Sequence, residues 1–239
     1  MAPFFLRHDD AVWAAHPRLR AVAVVVEDVL GLDGTTARQE ALRAGVDARV
    51  AERTESAMPE IAAWRDAFAA MGLKPTQYRC ASEALLRRYR KHGDMPVRHP
   101  LVDYLNFVSM RFAIPVAALD VGRVAGGLTI RPAHGTEKYE TFQGAAEHPA
   151  PGEIVYVDEE GHAHSRRWAF RQSARSVVTD RTGRVLVVAE ALHENASEDL
   201  DALESELLDG LGVHCGPSMR ITPDARLFEF EAAEDGALR

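Results

Sequence analysis

Residues 20–26, RAVAVVV, form an almost unbroken apolar run rich in β-branched side chains, the pattern of a strand buried on both faces. The stretch from Thr35 to Arg53 is rich in Ala and Arg and opens on Thr35-Thr36, either of which suits a helix cap. A strand followed by a helix is an α/β opening. Ile61, Trp64, Phe68 and Met71 then recur at three- and four-residue steps, which puts one apolar stripe on a helix ended by Gly72, Lys74 and Pro75. That spacing reads Trp64 as core. In SEALLRRYRKH, Ser82 can cap a third helix whose Leu85, Leu86 and Tyr89 point one way while Arg87, Arg88, Arg90 and Lys91 crowd the other; Gly93 ends it.

The next helix is the most informative. Pro100 suits a first helical position, and PLVDYLNFVSMRFAI is apolar nearly all round, as expected of a helix covered on most sides. Asp103, Asn106 and Ser109 fall three apart and make a slowly winding polar seam along it. Buried polar groups need partners. Neighbouring backbone would satisfy them, and so would a ligand and its water in a pocket beside the helix.

After Pro115 the period changes to two. VAALDV, GLTIR, EIVYVD, HAHSRRWAF, ARSVVTD and RVLVVAE read as short strands, with Gly126-Gly127, Glu160-Gly161 and Thr182-Gly183 as turns, which predicts a β meander. From Ser197 the chain returns to helix, SEDLDALESELLDGL, with Ser197 as cap and Leu200, Leu207 and Leu211 inside, and a late strand, RLFEFEA, follows. The expected fold class is α+β, helices on a mixed, largely antiparallel sheet. The expected organisation is one domain over residues 1–190 and an acidic helix-and-strand extension over 191–239 packed on it.

Composition narrows the class. The chain has 239 residues, 46% of them hydrophobic and 27% charged, which excludes disorder and a fibrous repeat. Apolar runs such as Ala21 to Val26 fall far short of the roughly 20 residues that span a bilayer, so no membrane association is expected. MAPFFLRHDD meets Arg7, Asp9 and Asp10 before a secretory apolar region can develop, so a cytoplasmic location is expected. Cys80 and Cys215 are far apart and lack metal-ligand spacing.

The net charge of −8 hides an uneven spread. From Glu190 onward, thirteen acids face three arginines. Between Lys74 and Lys138, eleven basic residues face five acids. A basic middle fits either an ordinary solvated surface or a polyanion partner. The acidic segment could cover a sheet edge, pair with a second copy in a homodimer, or shield the basic middle.

Phosphate-loop, dinucleotide-binding, HExxH, GxSxG and kinase signatures are all missing, and no cofactor is expected. His162 and His164 lie two apart and could share one strand face, but no third metal ligand stands near them, so no metal site is expected. SRRWAFRQSARS, residues 165–176, has more to offer. On a single strand Arg167, Ala169, Arg171 and Ser173 would share one face, and Arg166, Trp168, Phe170 and Gln172 the other. The cationic side suits phosphate or carboxylate recognition; a salt-bridge layer onto Asp158 or Glu153 is the structural alternative.

These segments together resemble the solo B3/4 domain family, free-standing relatives of the editing module in the β-subunit of bacterial phenylalanyl-tRNA synthetase. They run in order as WRDAFAAMGLKPTQYR, SEALLRRYRKHGDMP, PLVDYLNFVSMRFAIPVAALD, GEIVYVD, RRWAFRQS and VTDRTGRVLVVAE, over roughly residues 58–190. The resemblance implies helices on a mixed sheet, recognition of tRNA or its aminoacylated end, and hydrolysis of mischarged aminoacyl-tRNA. Asn106 matches the pocket asparagine of that module, whereas Ala117 stands where the editing histidine would be.

Ester hydrolysis needs a positioned water, donors for the oxyanion and a pocket that excludes the correct amino acid. On this reading Asn106 and Ser109 orient water. Arg87, Arg88, Arg90, Lys91, Arg131, Arg167, Arg171 and Gln172 contact RNA, and Trp168 stacks on a terminal base. Two alternatives stand beside it: a tRNA- or RNA-binding module without chemistry, and a binder of small amino-acid-like molecules that uses no RNA.

Overall fold

The computed structural model describes residues 3–32 and 35–231. The chain opens with β1 (Phe4–His8), α1 (Asp10–Ala15) and β2 (Arg20–Val26). Four helices follow: α2 (Thr35–Glu52), α3 (Pro59–Ala70), α4 (Ala81–His92) and α5 (Pro100–Phe112). Then come β3 (Val116–Asp120), β4 (Gly127–Pro132), β5 (Lys138–Glu140), β6 (Ala146–Glu147), β7 (Ile154–Val157), β8 (His162–Ala163), β9 (Ser165–Arg166) and β10 (Arg171–Gln172). The last elements are β11 (Val185–Ala191), α6 (Ala196–Leu211), β12 (Cys215–Ile221) and β13 (Leu227–Phe230). Among the described residues no helix is long and apolar enough to cross a membrane.

The strands make two principal sheets, ordered β13-β1-β4-β7-β8-β5-β6 and β12-β2-β11-β3. The mixed, mainly antiparallel character expected from the sequence is present. The meander is not, because β1 pairs parallel with β4 across more than a hundred residues and β5 pairs parallel with β8. The four-stranded sheet is the central layer. Period two sends Val22, Val24 and Val26 of β2 toward α2, α5 and α6, and Ala21, Ala23 and Val25 toward the seven-stranded sheet and α3. Strand β11 splits in the same way, with Val185, Val187 and Ala189 on the helical side and Leu186 and Val188 on the other. Each fully buried Val or Leu contributes about 1.5–3 kcal/mol, which is why these two strands are apolar at all positions but Arg20 and Glu190.

Helix boundaries follow local chemistry. Pro100 occupies the first turn of α5 after the cap His99, and α4 ends at Gly93, whose φ of 72° few side chains tolerate. Neither serine expected as a cap serves as one. Cys80 and Asn195 take those positions, and Ser82 lies buried with its hydroxyl 3.4 Å from the Cys80 thiol. ARSVVTD forms a 3₁₀ turn at Ala174–Ser176 rather than a strand. In the acidic segment α6 buries Leu200, Leu203, Leu207 and Leu211, β12 pairs with β2, and β13 pairs with β1. Its described part therefore belongs to the same core as residues before 190.

Candidate functional site

Strand β3 is an edge of the four-stranded sheet, and the segment from Ser165 to Gln172 folds across it. That segment is not one strand. It is a hairpin, β9 and β10 pairing Arg166 with Arg171, and its corner carries two adjacent non-glycine residues at positive φ, Arg167 at 50° and Trp168 at 56°. The corner is fixed from several sides. Arg167 N–H donates to Glu153 Oε1 at 2.7 Å, Trp168 N–H to the Ile154 carbonyl at 2.6 Å, and the Ala169 carbonyl accepts from Ala81 N–H at the start of α4. Left-handed backbone at bulky residues survives only where surroundings overdetermine it, and it tends to mark sites that work.

The turn drives Trp168 inward and leaves a hollow of about 80 Å³ between hairpin, edge strand and α4. Ala81, Val116, Ala117, Leu119, Val188 and Phe170 give it apolar walls; Tyr156, His164, Ser165, Arg171, Gln172 and Glu190 bring polar groups to it. Glu190 is the acidic member of this lining. It lies in phase with Leu186 and Val188 on β11, so it faces the seven-stranded sheet, where it is 3% exposed. His8 Nε2 donates to it at 2.6 Å, Trp168 Nε1 at 2.9 and 3.0 Å to its two oxygens, and the Tyr156 hydroxyl donates as well. A buried carboxylate is tolerable only with partners of this kind. Burial first, and the Glu190 charge second, push the Tyr156 phenol well above its ordinary range, so it stays a donor. His16 packs edge-on against Trp168 at 4.9 Å, and its own burial lowers its pKa against the opposing pull of Glu190.

A second titratable pair borders the hollow. His164 is fully buried, and its Nε2 lies 3.2 Å from Asp158 Oδ2. Burial pushes the Asp158 carboxyl up, but hydrogen bonds from His164 and from the backbone N–H groups of His162 and Ala125 outweigh it and hold the acid at about 2. His162 Nδ1 also lies 3.4 Å from Asp158 Oδ2, so the two histidines meet at one carboxylate.

The residues singled out from the sequence are distributed over several places. Ser109 is buried, and its hydroxyl donates to the Ile114 carbonyl at 2.7 Å. It is therefore tied to adjacent main chain and does not border the hollow. Asp103 likewise accepts from Arg98 N–H. Asn106 is half-buried and faces a separate groove on the other side of β3, alongside Arg98, His99, Phe142 and Val178. Gln172 touches both spaces; its amide donates to the Ala118 carbonyl at 2.7 Å and pins the hairpin to the edge strand. Trp168 is 1% exposed, so it packs inside the fold and is closed to a stacking base. Arg131 is committed to Glu137 at 2.6 Å, and the buried Arg166 to Glu153 at 2.6 Å. Arg167 lies over the Tyr78 ring at 4.5 Å, and Arg171 is exposed at the hollow's lip.

The basic face of α4 is present on the surface. Arg88 and Lys91 are exposed and lack an ion-pair partner among the described residues; Arg87 is 3.9 Å from Glu55, and Arg90 donates to Glu55 at 2.6 Å. Ala81 lines the hollow and Arg88 is seven residues on, so the cations start about 10 Å along the helix axis from it.

The sequence reading missed Glu190, Tyr156, His8 and the Asp158–His164 pair. One signal was there to be used: in RVLVVAE the acid keeps the period of the buried Leu186 and Val188. Comparison with known proteins adds a family. The model of the B3/4 domain matches residues 63–206. Among solved structures, the chain is similar to an N-terminal fragment of the phenylalanyl-tRNA synthetase β-subunit from Pyrococcus horikoshii, at 11% identity and a TM-score of 0.45, with 96% of this chain and 54% of that one covered. The chain thus spans about half the length of that fragment. No curated protein matches it by sequence.

Proposed function

Because the chain belongs to the B3/4 domain family, with the matched segment covering more than half of its length, we propose that it binds the aminoacylated end of tRNA and hydrolyses mischarged aminoacyl esters in trans. One observation carries this reading: a small hollow, with a buried carboxylate on one wall and Arg171 at its lip, is bordered by the start of a helix on which Arg88 and Lys91 are exposed and lack an ion-pair partner among the described residues. The amino-acid side chain would enter between Trp168 and the edge strand. A hollow of about 80 Å³ limits its size, and the Tyr156 oxygen, whose proton goes to Glu190, can accept a hydrogen bond from a polar group. Arg88 and Lys91 would hold acceptor-stem phosphates, a contact that weakens as salt rises. Such a protein would work in the cytoplasm, where charged tRNA is found.

A panel of tRNAs mischarged with different amino acids tests the reading. Release of one or a few amino acids well above spontaneous hydrolysis is expected, and no release from any of them would end the enzymatic proposal. Binding of the same tRNAs without turnover would instead support a non-catalytic module that uses the same basic face.

A further inference from the structure

We propose that His164 is the proton acceptor for the hydrolytic water, with Asp158 as its positioning partner. This rests on the ester-hydrolase reading above. His164 lines the hollow and is fully buried. Its Nε2 is engaged by Asp158 at 3.2 Å, and its Nδ1 is buried with no hydrogen-bond partner among the described residues. A carboxylate on one ring nitrogen fixes Nε2–H as the tautomer and leaves the Nδ1 lone pair free to take a proton. Asp158 is itself held by the N–H groups of Glu160 at 3.1 Å, His162 at 2.8 Å and Ala125 at 3.3 Å, so the carboxylate that orients the ring is fixed by its own turn. Glu190 is a poor candidate for the task, since its oxygens already accept from His8, Trp168 and Tyr156.

The step balances without a co-reactant other than water. Water oxygen bonds to the ester carbonyl carbon as its proton passes to His164 Nδ1. The bond from that carbon to the ribose oxygen then breaks, and the departing oxygen takes the proton back. The products are the free amino acid and tRNA with an intact terminal hydroxyl, and the imidazole is neutral again. The charged and titratable groups around the ring are Asp158, His162 beyond it, and Tyr156, Arg171 and Glu190 across the hollow.

The test uses the full chain and the mischarged tRNA that wild type deacylates best. In His164→Gln, kcat should fall by about 10²–10⁴-fold with little change in KM. Added imidazole should restore part of the activity of His164→Ala, and the limb of the wild-type pH–kcat profile on which activity rises with pH should vanish in the variant. Nitrogen NMR of the wild-type protein gives a readout that needs no variant, and should find the proton of the neutral ring on Nε2. A neutral ring protonated on Nδ1, or a folded His164→Gln within threefold of wild type, would overturn the assignment and leave the ester-hydrolase reading standing. An inactive wild type would overturn both.

Discussion

Trp168 Nε1 reaches both carboxylate oxygens of Glu190, at 2.9 and 3.0 Å, and so ties the hairpin corner to the inner sheet. His8 and Tyr156 close the same carboxylate from the seven-stranded sheet. Glu190→Ala would leave three buried donors without an acceptor, and should cost about 3–5 kcal/mol in urea unfolding. Glu190→Gln keeps one accepting oxygen and should cost less. Equal stability of the two variants would mean that the network does not hold the layers together.

The left-handed corner makes its own prediction. Arg167→Gly and Arg167→Val both remove the guanidinium from over Tyr78, so their difference isolates the backbone. With φ at 50°, glycine should be the more stable by about 1–2 kcal/mol, read from denaturation midpoints. Indistinguishable midpoints would speak against the turn.

Arg88 and Lys91 have no ion-pair partner among the described residues, whereas Arg90 bonds Glu55. Arg88→Glu with Lys91→Glu should weaken tRNA binding and reduce its salt slope by about one per phosphate contact removed, at unchanged melting temperature. Arg90→Glu should lower both affinity and stability. Unaltered gel-shift affinity in the double variant would remove α4 from the interface.

Ser109 and Asn106 separate a structural role from a functional one. Ser109→Ala leaves the Ile114 carbonyl short of a donor and should cost about 1 kcal/mol without changing deacylation. Asn106→Ala opens no buried bond and should leave stability within about 0.5 kcal/mol. A selective loss of turnover in Ser109→Ala would return that hydroxyl to the reaction.

Two strongly depressed carboxyls weigh most on acid stability, beside the lowered Glu153. Asp158 sits at about 2, and so does Glu137, where burial is outweighed by hydrogen bonds from His134 and Gly135 N–H and from Arg131. Both are depressed below their ordinary values of 3.8 and 4.5, so the stability they add is full above those values and drains away as pH falls toward 2. Together they should remove a few kcal/mol over that window in acid titrations followed by circular dichroism. Asp158→Asn should make the fall shallower.

Periodicity is a local property, and it made the strand at 20–26, the helix from Pro100, the basic face of α4 and the leucine side of α6 legible in the sequence. The family resemblance was legible too, because it resides in short segments kept in order, and the matched residues 63–206 fall within it over most of their length. The corner at Arg167 and Trp168 was not, since alternation alone predicts a continuous strand and nothing in SRRWAFRQS supplies the usual glycine. Tertiary structure also decided the site. His8 and Glu190 meet across 182 residues of chain, and Ser109 turns to a carbonyl five residues on instead of to the hollow. Side-chain spacing fixes which face a residue occupies. What that face meets depends on long-range packing, which the competition among buried donors for few acceptors decides only once the sheets have closed over them.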